Sequence, residues 1–235
     1  MRITLLILWL TVPLAFAAYH YGPGQDRLKK DEAAAFLKEA RSTSTADDEA
    51  GAIEKLEAAL AALPESAVAE SRQIRFSLAK ARMEGPDLPR GHDELTALFR
   101  ELSADPTADQ GLKNDTQSAL ASAKYYMTWL MRLEGLGEEE WMPEIEASRQ
   151  HFRSLAEQAE KSGNATVLAT AKGNLENAIK LARMDLTDLE GQPLPKCCKG
   201  CKSGKCKSKS PSKNPQKPED SRKAGSGPPP DGSGS

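Results

Sequence analysis

The sequence predicts an all-α fold in which antiparallel helix pairs stack in chain order. Alanine, leucine and glutamate dominate the composition, and these residues lose little side-chain freedom in a helix. Apolar residues recur at three- and four-residue spacing between residues 26 and 189, which is typical of amphipathic helices. No segment shows the strict apolar–polar alternation that indicates a half-buried strand.

Breaks in this periodicity separate the predicted helices from one another. The helices are predicted at residues 26–41, 46–63, 65–84, 93–104, 108–134, 138–161 and 165–189. The short connections favour antiparallel neighbours. Glycine and proline in residues 85–91 predict a turn, which leaves His92 at its edge. We expect the last helix to cover the open end of the stack, because the final unit of a helical array has no further neighbour.

The second predicted helix carries the most specific pattern in the chain. Small residues at Ala52 and Ala59 lie seven apart, and Pro64 closes the segment. An apolar stripe runs along it at Ile53, Leu56, Leu60 and Leu63. Small residues allow a neighbouring backbone to come close, and proline ends a helix. Residues 52–64 resemble the second helix of a tetratricopeptide repeat, and a looser likeness extends over residues 26–162. The resemblance implies a short TPR-like α-solenoid that binds other proteins.

The N-terminus has the pattern of a secretory signal peptide. A basic start at Arg2 precedes the apolar run of residues 3–16, and small residues stand at the cleavage positions of Ala15 and Ala17. We therefore expect a signal peptide at residues 1–17 and a periplasmic or secreted protein. An uncleaved membrane anchor over residues 3–21 is the alternative, and a soluble buried helix is a third. A turn-rich linker is expected at residues 18–25.

Charge divides the chain into an acidic body and a basic tail. Residues 1–190 have a net charge of −9 and residues 191–235 a net charge of +7. We expect a helical domain at residues 26–190. The tail is rich in Lys, Cys, Pro, Gly and Ser and has too few apolar residues to bury, which predicts disorder. The tail is either solubilising or attracted to an anionic partner or to its own body. It lacks interleaved aromatic residues, which disfavours nucleic-acid binding.

Four cysteines in the tail carry the strongest chemical signal, namely Cys197, Cys198, Cys201 and Cys206. Four thiolates match the ligand number of a zinc site or of a site for another thiophilic metal. Adjacent cysteines seldom bind one ion together, however, and an oxidising compartment favours disulfides. A flexible tail without defined pairing is the third alternative. Beyond this metal hypothesis, the sequence indicates no cofactor.

Nothing in the sequence indicates catalysis. The histidines His20, His92 and His151 stand in none of the hydrolase or nucleotide-binding motifs. An aromatic group comprises Tyr125, Tyr126, Trp129 and Trp141. It is interpreted mainly as helix core, with a peptide groove as the alternative.

Two asparagines match the glycosylation acceptor pattern, Asn114 and Asn164. Both lie near predicted helix starts, so helix capping is the simpler interpretation. Taken together, the sequence predicts an exported, non-enzymatic helical-repeat scaffold with an unidentified protein partner. The alternative is a metal- or thiol-handling protein that acts through the cysteine tail. A membrane is a partner only if the N-terminal segment remains uncleaved.

Overall fold

A computed structural model of the chain confirms the predicted fold class. It describes residues 9, 11–14, 17, 19, 23–45, 48–85, 87–192 and 203. This part of the chain contains helices, turns and connecting segments but no strand. The seven described residues before residue 23 are also helical.

The helices between residues 23 and 192 follow one another with short connections. They are α1 (Pro23–Thr45), α2 (Glu49–Ala62), α3 (Val68–Glu84), α4 (Leu88–Ala104), α5 (Gln110–Leu133), α6 (Glu138–Ser162), α7 (Ala165–Arg183) and α8 (Leu186–Glu190). Each helix from α1 to α6 packs against the next one along the chain, and α8 returns to contact α5. The helices between residues 23 and 192 therefore form a short helical solenoid, as the sequence predicts, and α7 packs on α6 at the C-terminal end of this array.

Side chains cap several helix starts. Asp48, Asp109 and Asn164 each accept a hydrogen bond from a backbone N–H in the first turn of α2, α5 and α7. The capping role predicted for Asn164 is confirmed. The same prediction for Asn114 is wrong, because Asp109 caps α5 and Asn114 lies inside that helix, where it accepts a hydrogen bond from Gln110.

Two helices begin earlier than the periodicity predicts, and both have proline in the first turn. Pro23 opens α1 inside the expected linker of residues 18–25, and Pro89 lies in the first turn of α4. The missing N–H of proline costs little at such positions. Leu88 is fully buried and fixes the first turn of α4 on the core. His92 is therefore a buried residue inside α4 rather than a residue at a turn.

The predicted last helix at residues 165–189 is two helices, and Arg132 of α5 explains the break. Its guanidinium donates hydrogen bonds to the backbone carbonyls of Leu181 and Met184, where α7 ends. The same group lies 4.7 Å from the ring centroid of Trp141. Carbonyls at the end of a helix lack partners within that helix. Arg132 donates the hydrogen bonds that these carbonyls lack. The chain then turns through Met184 and Asp185 before α8 begins.

Close packing of backbones joins the central helices α3, α4 and α5. A Cβ atom at Gly91 of α4 would lie 2.6 Å from the Met83 nitrogen and 2.7 Å from the Ala79 oxygen of α3. Ala79 of α3 and Ala123 of α5 are fully buried in the same apolar cluster. These small residues let α4 lie directly on α3, and α3 also contacts α5.

We expect Gly91→Ala to destabilise the protein by about 1–3 kcal/mol, because the new methyl group would overlap backbone atoms that cannot rotate away. The free energy of unfolding in urea measures the effect.

Gly173→Ala is the matched control, because Gly173 also lies within a helix and nothing lies within 4 Å of its added Cβ. This variant should be neutral or gain up to about 1 kcal/mol through helix propensity. Equal effects at the two glycines would contradict the close packing of α3 on α4.

Ion pairs reinforce the contact between α3 and α4. Arg72 donates to Glu101 at 2.7 Å and to Asp105 at 2.8 Å, and Arg75 donates to Glu101 at 2.6 Å. Hydrogen bonds from the Thr107 hydroxyl and from Arg72 lower the pKa of Asp105 from 3.8 to about 2.

This lowered pKa predicts a pH dependence of stability. The Asp105 carboxylate stabilises the folded protein above about pH 4, and this contribution is lost as the pH falls towards 2. In urea titrations across this window, the unfolding free energy of Asp105→Asn should fall less steeply than that of the unmodified protein. Identical slopes would show that the carboxylate has no such role.

Candidate functional site

The described helices line three concave places. One is a single cavity of about 360 Å³ against α2, α3 and α4, bordered by the ion pairs of Arg72 and Arg75 with Glu101, and the other two are longer grooves. Helices α3 and α5 contact each other directly. Helices α1 and α3 are separated by a groove, and a second groove separates α5 from α7. Concave surfaces with apolar floors are the usual sites of ligand binding, so these grooves are the candidate sites.

The N-terminal groove lies between α1 and α3, with α2 below it. It consists of two adjoining cavities of about 580 and 240 Å³ that share Leu37, Gln73 and Ile74. Its apolar lining includes Leu56 of α2. The groove therefore has an apolar floor that is continuous from one cavity to the next.

Charged side chains surround the N-terminal groove. They are Lys30, Arg41, Glu49, Glu70, Lys80 and Glu84. Lys30 and Glu70 form an ion pair of 2.6 Å that joins the two walls, and Lys80 lies 3.7 Å from Glu84. The two signs of charge are balanced in the lining, and several of these charges neutralise one another.

The C-terminal groove lies between α5 and α7, with α6 below it. It consists of two adjoining cavities of about 590 and 250 Å³ that share Phe152 and Asn174. Along α5 its lining extends from Gln110 to Trp129, which is about 28 Å at the helical rise of 1.5 Å per residue.

Neutral hydrogen-bonding groups form the walls of the C-terminal groove. They include Asn114, Ser118, Gln158, Thr170, Asn174 and Asn177. Phe152 and Leu155 lie on its floor. Among the described residues that line this groove, only Asp115 carries a charge. The two grooves thus have similar volumes and different chemistry.

Aromatic residues close one end of the C-terminal groove. The Tyr125 ring packs edge-on against Tyr126 and Trp129, with centroid distances of 5.3 and 6.0 Å. Trp129 is only 5 % exposed, and its indole N–H has no acceptor within the described residues. Trp141 packs against the same apolar cluster as Trp129, and the Arg132 guanidinium lies over its ring. Trp141 does not line the groove. Of the four aromatic residues singled out from the sequence, three line the groove.

A partly buried polar cluster joins α4, α5 and α6, and no spacing pattern in the sequence indicates it. Lys124 lies 2.8 Å from Glu144, and the His92 Nε2 atom lies 3.4 Å from both side chains. Burial, and then the nearby Lys124 charge, lower the pKa of His151. None of these residues lines either groove. The cluster ties helices together, because breaking a buried ion pair leaves an uncompensated charge.

The cysteines predicted as a metal site lie outside the described residues: Cys197, Cys198, Cys201 and Cys206. The zinc hypothesis and its alternatives therefore stay predictions. Within the described residues, no group of three or more His, Cys, Asp or Glu side chains is arranged to hold a metal ion.

Ser203 is described and 2 % exposed. Its N–H and hydroxyl donate hydrogen bonds to the Glu134 carboxylate at the end of α5.

No helix among the described residues is long and apolar enough to cross a membrane. Comparison with protein-family models, curated proteins and solved structures finds no match for this chain.

Proposed function

We propose that this chain is an exported helical-repeat scaffold that binds another protein and carries no catalytic activity. The observation that carries the proposal is the pair of long grooves, one towards each end of the described helical stack. Both have apolar floors and polar rims, which is the arrangement expected of surfaces that bind a partner.

The length of the grooves favours a polymer over a small ligand. The lining of the N-terminal groove runs along α1 from Lys30 to Ser44, or about 21 Å. The lining of the C-terminal groove runs about 28 Å along α5. A segment of polypeptide can contact a surface of this length continuously, whereas a small molecule would occupy only a part of it.

The chemistry of the lining favours binding over acid–base catalysis. Among the described residues, no histidine lines either groove. The ionisable groups in the N-terminal groove include Lys30 and Glu70, which neutralise each other. The C-terminal groove offers amides and hydroxyls, which donate and accept hydrogen bonds without changing charge.

Two features of the sequence support the rest of the proposal. Export is proposed on the pattern of residues 1–17. The likeness to tetratricopeptide repeats is supported by α2, in which Ala52 and Ala59 are buried and Pro64 follows the end of the helix. In such arrays, helices that lie side by side provide extended surfaces for partner proteins.

Site-specific photo-cross-linking in cells of the source organism tests this function. A benzophenone side chain replaces Gln73 in the N-terminal groove or Thr170 in the C-terminal groove. Both are exposed, and so are the control positions Arg100 and Arg153, which line neither groove. We expect a discrete protein adduct from at least one groove position and from neither control.

Two results would overturn the proposed function. One is the absence of adducts at both groove positions when the protein is folded and exported. The other is the same set of adducts at all four positions, which would indicate contact by chance rather than a binding surface.

A further inference from the structure

We propose that the C-terminal groove binds an extended, uncharged polypeptide segment that carries apolar side chains. This inference rests on the proposed function and adds the chemistry of the partner. It is drawn from the charge, the hydrogen-bonding groups, the floor and the length of this groove.

Charge is the property that distinguishes this groove from the rest of the molecule. The body formed by residues 1–190 has a net charge of −9, but Asp115 is the one charged residue in the described lining of the groove. A charged ligand side chain placed on the apolar floor, away from Asp115, would lose its water without gaining a partner. The N-terminal groove, in contrast, has three basic and three acidic residues in its lining. An uncharged segment therefore complements the C-terminal groove.

Amide side chains in the walls match the backbone of an extended peptide. Asn114, Gln158, Asn174 and Asn177 line the groove, and each amide has both a donor and an acceptor. An extended segment has a backbone N–H and C=O at every residue other than proline, and these groups need partners when they leave water. Walls of this kind satisfy the backbone and leave the side chains to meet the floor.

The floor of the groove suits apolar side chains of a bound peptide, and its aromatic end suits a peptide carbonyl oxygen. Phe152, Leu155 and Ala171 form an apolar surface between the walls. At the aromatic end, the indole N–H of Trp129 has no acceptor within the described residues. A buried donor without an acceptor is unfavourable, and a peptide carbonyl would satisfy it once the groups that cover the indole nitrogen move aside.

The length of the groove sets the size of the segment. About 28 Å between Gln110 and Trp129 holds roughly eight or nine residues of extended chain at about 3.3 Å each. The protein's own tail is a poor occupant, because residues 191–235 contain ten Lys and Arg residues and almost no apolar side chain.

Peptide selection on the purified chain provides the test. Random dodecapeptides displayed on phage are selected on the protein, and the enriched peptides are synthesised with a fluorescent label. Fluorescence anisotropy then gives their Kd at low and high salt. We expect enriched peptides without net charge, with apolar residues at alternate positions, and with a Kd that salt hardly changes.

Matched variants locate the site of peptide binding. Thr170→Glu places a charge in the C-terminal groove, and Gln73→Glu places one in the N-terminal groove, in both cases at an exposed position. Thr170→Glu should weaken binding at least about tenfold, which corresponds to 1.4 kcal/mol, and Gln73→Glu should leave it unchanged. Circular dichroism melts confirm that both variants are folded.

Each other result decides against this inference in a distinct way. Selection of charged peptides would overturn the inference, and so would peptide binding that only Gln73→Glu weakens. In either case the proposed function would remain, with the N-terminal groove as the binding surface. Failure to select any binding peptide would overturn the inference too, whereas cross-linking from Thr170 would still support protein binding. Self-association that Thr170→Glu abolishes would assign the groove to a second copy of this chain.

Discussion

The close contact of backbones between α3 and α4 is the constraint on which the rest of this structure depends. Gly91 has no side chain, so α4 lies against Ala79 and Met83 of α3 without intervening atoms. Because α4 is that close, α3 can also reach α5, and Ala79 and Ala123 are fully buried there. The centre of the stack is closed for this reason. The two grooves lie towards the ends of the stack, between α1 and α3 and between α5 and α7.

Hydrogen bonds and ion pairs between polar side chains stabilise the positions of neighbouring helices. Arg82, buried in α3, bonds to Glu57 of α2 and Glu94 of α4, and so joins three consecutive helices. Two residues of α5 join the C-terminal helices in a similar way. Lys124 pairs with Glu144 of α6, and Arg132 donates to the carbonyls at the end of α7. Losing one partner of a buried ion pair leaves the other charge without compensation. These contacts therefore favour one arrangement of the helices, and with it a fixed width for each groove.

The sequence predicted what local patterns determine and missed what distant residues determine. The helix at residues 138–161 and the Asn164 cap depend on neighbours within a few residues, and both are confirmed. The break between α7 and α8 depends on Arg132, which precedes the carbonyl of Leu181 by 49 residues, so no local signal could reveal it. The walls and the extent of the grooves could not be predicted for the same reason, because each groove is formed by helices that are not consecutive. Three of the aromatic residues proposed as core or groove belong to both, since one face of α5 supplies the core and the rim of the C-terminal groove.

The two grooves give one scaffold two chemically different surfaces, and both depend on a centre that stays closed while the ends are free to bind. Native-state hydrogen exchange measures this most directly, because it reports the free energy of opening at each backbone amide. We expect amides in α3, α4 and α5 to exchange last, through global unfolding, and those of α1 and α7 to exchange earlier through local opening at the ends. Exchange in α4 that is as fast as in α1 or α7 would contradict the central role of the contact at Gly91.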